Sequence, residues 1–190
     1  MRLQRAAWAM RAASPVRSTL PFALALMTDE RRQPDLTSLI ERLPRCPPVL
    51  IVFRHYGLPP SERRRLALEA YGAARARGQL FVGAGAGLPG DGAHNARHPG
   101  LRTVSVHSLR EGRDKSALRP HLALVSPVFA TDSHPGAEGL GPARSAAIAA
   151  RLRLPAFALG GMDASSATRL IGTPFTGIAA IGAFGAQDLS

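Results

Sequence analysis

Apolar residues fall in short, near-continuous runs: FALALM (22–27), VLIVF (49–53), LFVGA (80–84), TVSVH (103–107), LALVS (122–126), PAFALG (155–160) and GIAAIG (177–182). Most lack the alternation of a half-exposed strand and read as strands buried on both faces. Helical patterns lie between them. The strongest covers residues 62–77, with Pro59 and Pro60 before it, Ser61 as the expected N-cap, Leu66, Ala70, Ala73 and Ala74 on one face, and Gly78 as terminator. Pro142 opens a second over 142–152, and Asp163 caps a third over 164–171, closed by Gly172; residues 36–43 and 109–117 are weaker candidates. Strand and helix in alternation predict right-handed crossovers and a parallel sheet.

The segment AGAGLPGDGAHNARHPGLR (84–102) breaks the rhythm, with room for one short strand around Asp91 to His94 and no full helix on either side. Counting that strand gives eight. The expectation is a compact (β/α)8 barrel whose third and fourth helices have shrunk to loops. An open doubly wound sheet would need a nucleotide-binding fingerprint after the first strand, and MTDERRQP offers none. Residues 1–20 read as a basic arm or short helix across the barrel bottom, and 21–190 as the barrel itself.

With 190 residues, 45% of them hydrophobic, the chain suits one domain. No apolar run approaches a membrane span, and the basic start lacks the features of a signal peptide, so a cytoplasmic protein is expected. The single cysteine, Cys46, lies in the turn-like PRCPP and reads as a spectator thiol. The net charge of +11 favours phosphate-bearing partners in general. Nearly all of it is Arg, with Lys115 the only lysine, scattered through helical segments without interleaved aromatics. That is a solvated surface rather than a nucleic-acid face. Expected partners are therefore a phosphorylated small molecule, with no nucleic acid and no membrane; self-association stays open.

In a barrel the active site lies at the C-terminal ends of the strands. There, Gly160-Gly161 and Gly182-Ala183 follow the seventh and eighth runs. Side-chain-free turns can serve tight geometry alone, but the pair on adjacent strands favours a phosphate held by backbone N–H groups. His107 ends the fifth run, where it suits either proton transfer or a structural cap on the next helix. His94 and His98 have an i, i+4 metal-like spacing, but the Gly, Pro and Asn around them oppose a helix, so the pair reads as incidental and no metal site is expected. The long Gly/Pro/Ser/Thr-rich loop after the sixth run carries Thr131, Asp132, Ser133 and His134, small and donor-rich as a flap over a phosphorylated ligand would be.

TVSVHSLRE, SPVFATDSHPGAEGLG, ALGGMD and GIAAIGAF together resemble the thiamine phosphate synthase and thiazole tautomerase (TenI) family. The resemblance covers residues 20 to 185 and is strongest from 103 onward. It implies a (β/α)8 barrel of thiamine biosynthesis that binds thiazole phosphate; the synthases also take a pyrimidine pyrophosphate with magnesium. Synthases show Gln-x-Arg-Glu-Lys after the second strand, where Val52-Phe53-Arg54-His55-Tyr56 keeps the Arg and loses the Lys. Their Asn-Asp after the third strand becomes Gly83-Ala84-Gly85, and their flap Pro-Thr-x-Thr-Lys becomes Ala130-Thr131-Asp132-Ser133-His134. The tautomerase branch matches better, in Ser-Val-His-Ser, Val-Phe-x-Thr-Asp and Gly-Gly-Met. The resemblance implies His107 as acid–base residue with His134 as its rival, and Arg54, Thr131, Ser133, Gly160, Gly161, Gly182 and Ala183 as ligand contacts. It implies no cofactor, magnesium entering only for a synthase, with Asp29, Asp91 or Asp132 as substitute carboxylates. A noncatalytic member that binds a phosphorylated ligand is the third reading.

Overall fold

Each of the seven apolar runs becomes a strand, and with the short strand Gly92–His94 the eight close on one another. The computed structural model describes residues 2–130 and 138–184. In chain order the elements are α1 (Arg2–Ala13), β1 (Leu24–Met27), α2 (Leu36–Arg42), β2 (Leu50–Phe53), α3 (Pro60–Ala76), β3 (Leu80–Ala84), β4 (Gly92–His94) and β5 (Leu101–Val106). Then follow α4 (Leu109–Asp114), a 3-10 turn (Lys115–Leu118), β6 (Leu122–Val125), α5 (Pro142–Leu152), β7 (Ala156–Ala158), α6 (Ala164–Thr168) and β8 (Gly177–Ala180). The strands run parallel in sequence order, and β8 pairs with β1 to complete a (β/α)8 barrel. As the sequence predicts, short loops stand where helices would follow β3 and β4.

Two apolar layers hold the barrel. Ala25, Met27, Leu50, Val52, Val82, Leu122, Leu124, Phe157, Leu159 and Ala179 fill the interior. Alternate residues such as Leu24, Leu26, Ile51, Phe53, Val125 and Ile178 face the outer helices instead. Leu20 and Phe22 join the inner set ahead of β1, with Phe22 edge-on to Phe157 at 5.9 Å. Leu3, Ala7 and Met10 of α1 are fully buried in the outer layer. That helix packs against α6, β8 and β1, and its Gln4 and Arg11 side chains donate to the carbonyls of Pro47 and Phe22, just ahead of β2 and β1.

Two boundaries and one buried face differ from the sequence reading. Pro59, not Ser61, occupies the N-cap position of α3. Two consecutive prolines with preset φ start the helix early. On that helix Ala67, Ala70 and Ala74 are the buried positions, with Leu66 packed at the edge. The third predicted helix ends at Thr168, because Arg169, Leu170 and Ile171 donate three residues back, a tighter turn than the α-helix. No described helix is long and apolar enough to cross a membrane.

Candidate functional site at the barrel mouth

The inward alternation of β2 through Leu50 and Val52 carries on to Arg54, which emerges at the C-terminal mouth. Its guanidinium is fixed there. Nε donates to the Thr28 carbonyl at 2.9 Å, and the Asp29 carboxylate lies 4.0 Å from the terminal nitrogen. Burial pulls the Arg54 pKa down, opposed chiefly by the charge of Asp29. The next residue, His55, is buried and adopts a left-handed φ of 35°, a conformation that favours glycine. It is over-determined by its neighbours: the ring stacks on Phe53 at 4.6 Å and meets Thr28 Oγ1 at 2.8 Å. Thr28 Oγ1 also accepts from the Arg54 N–H at 2.9 Å, so one hydroxyl ties both residues to the end of β1. Arg63 braces the turn from outside, donating to the carbonyls of Arg54 and Ala84, each at 2.8 Å.

His94 and His98 have separate partners. His94 sits inside the barrel, with Nδ1 2.8 Å from Thr103 Oγ1 and Nε2 2.9 Å from Ser105 Oγ. Burial first, then the charges of Lys115 and Arg54, lower its pKa to about 3, so it is a neutral ring at any physiological pH. His98 plays no part in this, accepting instead from the Gly100 N–H at 2.9 Å. Thr103 and Ser105, polar residues on the inward phase of β5, were the available sign that something polar lay opposite. Asp91 stands apart from the mouth: its carboxylate accepts from the Phe81 N–H at 2.9 Å and the Tyr71 hydroxyl at 3.2 Å. Its oxygens are engaged at the start of β3, which removes it as a metal ligand at the mouth. Asp29 does lie there, accepting from the N–H groups of Arg31 and Arg32 at 3.0 and 3.2 Å.

His107 follows β5 with its side chain 56% exposed. Its Nδ1 lies 2.9 Å from Glu111 Oε2, which also accepts the His107 backbone N–H at 2.7 Å. Lys115 closes the cluster, donating to Glu111 Oε1 at 2.6 Å and to the Ser105 carbonyl at 2.9 Å. Burial would raise the Glu111 pKa, but the hydrogen bonds from Lys115 and His107 outweigh it and hold the carboxyl at about 2. Ser108 caps α4 by accepting from the Glu111 N–H. His107 thus stands at the end of β5 and contacts α4 through Glu111, while Ser108 is the residue that caps the helix.

On the adjacent ends of β7 and β8, the N–H groups of Gly161, Met162, Gly182 and Ala183 donate to no backbone carbonyl among the described residues. The glycines differ in what demands them. Gly160 and Gly161 have φ of 95° and 61°, and a Cβ on Gly161 would stand 2.6 Å from the Ala130 carbonyl and 2.7 Å from Phe129 Cβ. That is how the loop after β6 docks: Val128 and Phe129 donate to the carbonyls of Leu159 and Gly160, and Arg169 stacks over the Phe129 ring at 4.7 Å. Gly182 is freer, a Cβ there meeting, among the described residues, only the tip of Arg32 at 3.1 Å. Gln33, in the loop after β1, ties that loop to the end of β8 by donating to the Ile181 carbonyl at 2.6 Å. Thr131, Asp132, Ser133 and His134 lie outside the described residues. Among the described residues no three His, Cys, Asp or Glu side chains are grouped to hold a metal ion.

Residues 94–184 match the family model described as thiamine monophosphate synthase. Among solved structures, the thiamine phosphate pyrophosphorylase from Pyrococcus furiosus is 23% identical, with a TM-score of 0.71 over 87% of this chain and 89% of its own. A native KDPGal structure is 14% identical, TM-score 0.53, covering 86% and 84%. The glycerol uptake operon antiterminator regulatory protein from Listeria monocytogenes is 12% identical, TM-score 0.53, covering 87% and 94%. At these identities the likeness is one of fold. No curated protein sequence matches the chain.

Proposed function

We propose that the chain, whose residues 94–184 match the thiamine monophosphate synthase family model, binds thiazole phosphate at the barrel mouth and moves a proton on it as a tautomerase. The observation that carries this reading is the His107–Glu111 pair at the end of β5. It offers an imidazole held by one nitrogen with the other free of any partner among the described residues. Tautomerisation needs little more. A base removes a proton from one ring position, the bonding electrons shift into the ring, and the same proton returns at another position, so no electrons are gained or lost. Arg54 supplies fixed positive charge in the mouth, and the open N–H groups on β7 and β8 suit the phosphate. His134 and the donors Thr131 and Ser133 would act from the flap.

The test is turnover of thiazole phosphate by the purified chain and by His107→Gln, which hydrogen-bonds but cannot cycle a proton. The expected loss is about a hundredfold to ten-thousandfold, with affinity nearly unchanged. An active His107→Gln beside a dead His134→Gln would move the proton transfer to the flap. Magnesium-dependent coupling of pyrimidine pyrophosphate to thiazole phosphate would make the protein a synthase, and binding without either reaction would make it a noncatalytic member.

A further inference from the structure

We propose that Glu111 is the positioning residue for His107, fixing the neutral ring in its Nδ1–H tautomer so that Nε2 is the atom that accepts and returns the proton. The argument runs from the acceptor. An ionised carboxylate can only accept, so each nitrogen within hydrogen-bond range of it must carry a proton. Glu111 Oε2 has two such partners on one residue, the His107 backbone N–H at 2.7 Å and Nδ1 at 2.9 Å. The backbone contact holds the carboxylate in register with the ring, and the ring contact assigns the proton to Nδ1. Lys115 keeps the carboxylate charged. Its Nζ donates to Glu111 Oε1 at 2.6 Å while anchored on the Ser105 carbonyl at 2.9 Å, so the positive charge is tied to β5 and does not swing in solvent.

Helix capping alone accounts for less. In an ordinary capping arrangement the residue three along the helix reaches back to the N-cap N–H, which here would be that of Ser108. Glu111 reaches one residue further back, to His107, and takes both its backbone and its ring. An unconstrained neutral imidazole favours the opposite tautomer, with the proton on Nε2. Without the carboxylate, the nitrogen left free would more often be a donor than a base.

The consequence for rate rests on the proton-transfer reading of His107, but the tautomer can be read without any turnover. Long-range 1H–15N spectra of histidine-labelled protein, recorded where the ring is neutral and assigned by loss of the signal in His107→Gln, report which nitrogen is protonated. The wild type is expected in the Nδ1–H form. Glu111→Ala, which suits a helix, should shift His107 mainly to Nε2–H while the amide signals outside residues 105–115 keep their positions. Glu111→Gln, with one neutral acceptor oxygen, should fall between. In the tautomerase assay Glu111→Ala should lower kcat about tenfold with KM little changed, a fraction of what losing His107 removes. A wild-type ring in the Nε2–H form, or a tautomer unmoved by Glu111→Ala, overturns the inference even in an active enzyme. A wild type that never turns over thiazole phosphate overturns the proposed function instead and leaves the tautomer result standing.

Discussion

The two glycine loops give a paired test of the phosphate site, because the structure separates a glycine required by packing from one that is not. At Gly161 a valine would meet a φ of 61° and two close contacts, the Ala130 carbonyl at 2.6 Å and Phe129 Cβ at 2.7 Å. The left-handed backbone costs an L-residue about 1–2 kcal/mol, and forced overpacking about 1–3 kcal/mol more. A loss of about 2–5 kcal/mol in a domain of this size lowers Tm by roughly 4–20 °C. Gly161→Val should therefore melt early, and any loss of binding there says nothing specific about phosphate. At Gly182 the only obstacle among the described residues is the flexible end of Arg32 at 3.1 Å, beside a cavity of about 300 Å3 lined by Arg32, Arg42 and Phe184. Gly182→Val should keep stability within about 0.5 kcal/mol, or roughly 2 °C in Tm. If that loop donates to phosphate, disturbing one charge-assisted hydrogen bond costs about 1.5–3 kcal/mol, roughly tenfold to a hundredfold in Kd. Thermal melts by circular dichroism and calorimetric titration with thiazole phosphate supply the two readouts. A Gly182→Val protein that folds normally and binds within about twofold of wild type would refute the β8 loop as a phosphate contact.

Arg54→Gln should weaken thiazole phosphate binding by about tenfold or more while leaving kcat at saturation largely intact, because it removes fixed charge and no proton carrier; steady-state KM and kcat separate the two. His94 predicts a pH dependence. Its folded pKa of about 3 lies below the ordinary 6.5, so between those values the unfolded chain binds a proton that the folded one refuses. Stability contributed by the neutral ring is complete above pH 6.5 and drains away as pH falls toward 3. Denaturant melts across that window should show a shallower loss in His94→Gln than in wild type, and equal slopes would sink the assignment of a buried neutral imidazole.

Strands buried on both faces announce themselves, which is why seven of them were legible as apolar runs and the eighth, only Gly92–His94, as the remainder that closed the count. The parts of the mouth that were not legible are those made by partners far apart in the chain. Thr28 and His55 are 27 residues apart and meet only when β1 and β2 pair, and nothing local marks His55 as a residue that must accept a positive φ. The role of His94 is hidden for the same reason: its spacing to His98 is visible in the sequence, whereas its partners, Thr103 and Ser105, face it across the β4–β5 ladder. Glu111 is the instructive intermediate. The spacing His107, Glu111, Lys115 is two successive i, i+4 steps that can be read directly from the sequence, and such pairs meet on a helix. Yet His107 precedes the N-cap of α4, outside the helix proper, so the helical rule alone does not bring it to Glu111. The extended Ser108, which caps α4 with its hydroxyl, turns the end of β5 back over the helix start and makes the contact. The geometry that gives His107 its proton-bearing nitrogen is thus a property of the strand-to-helix turn, the same place where the barrel fold puts chemistry in general.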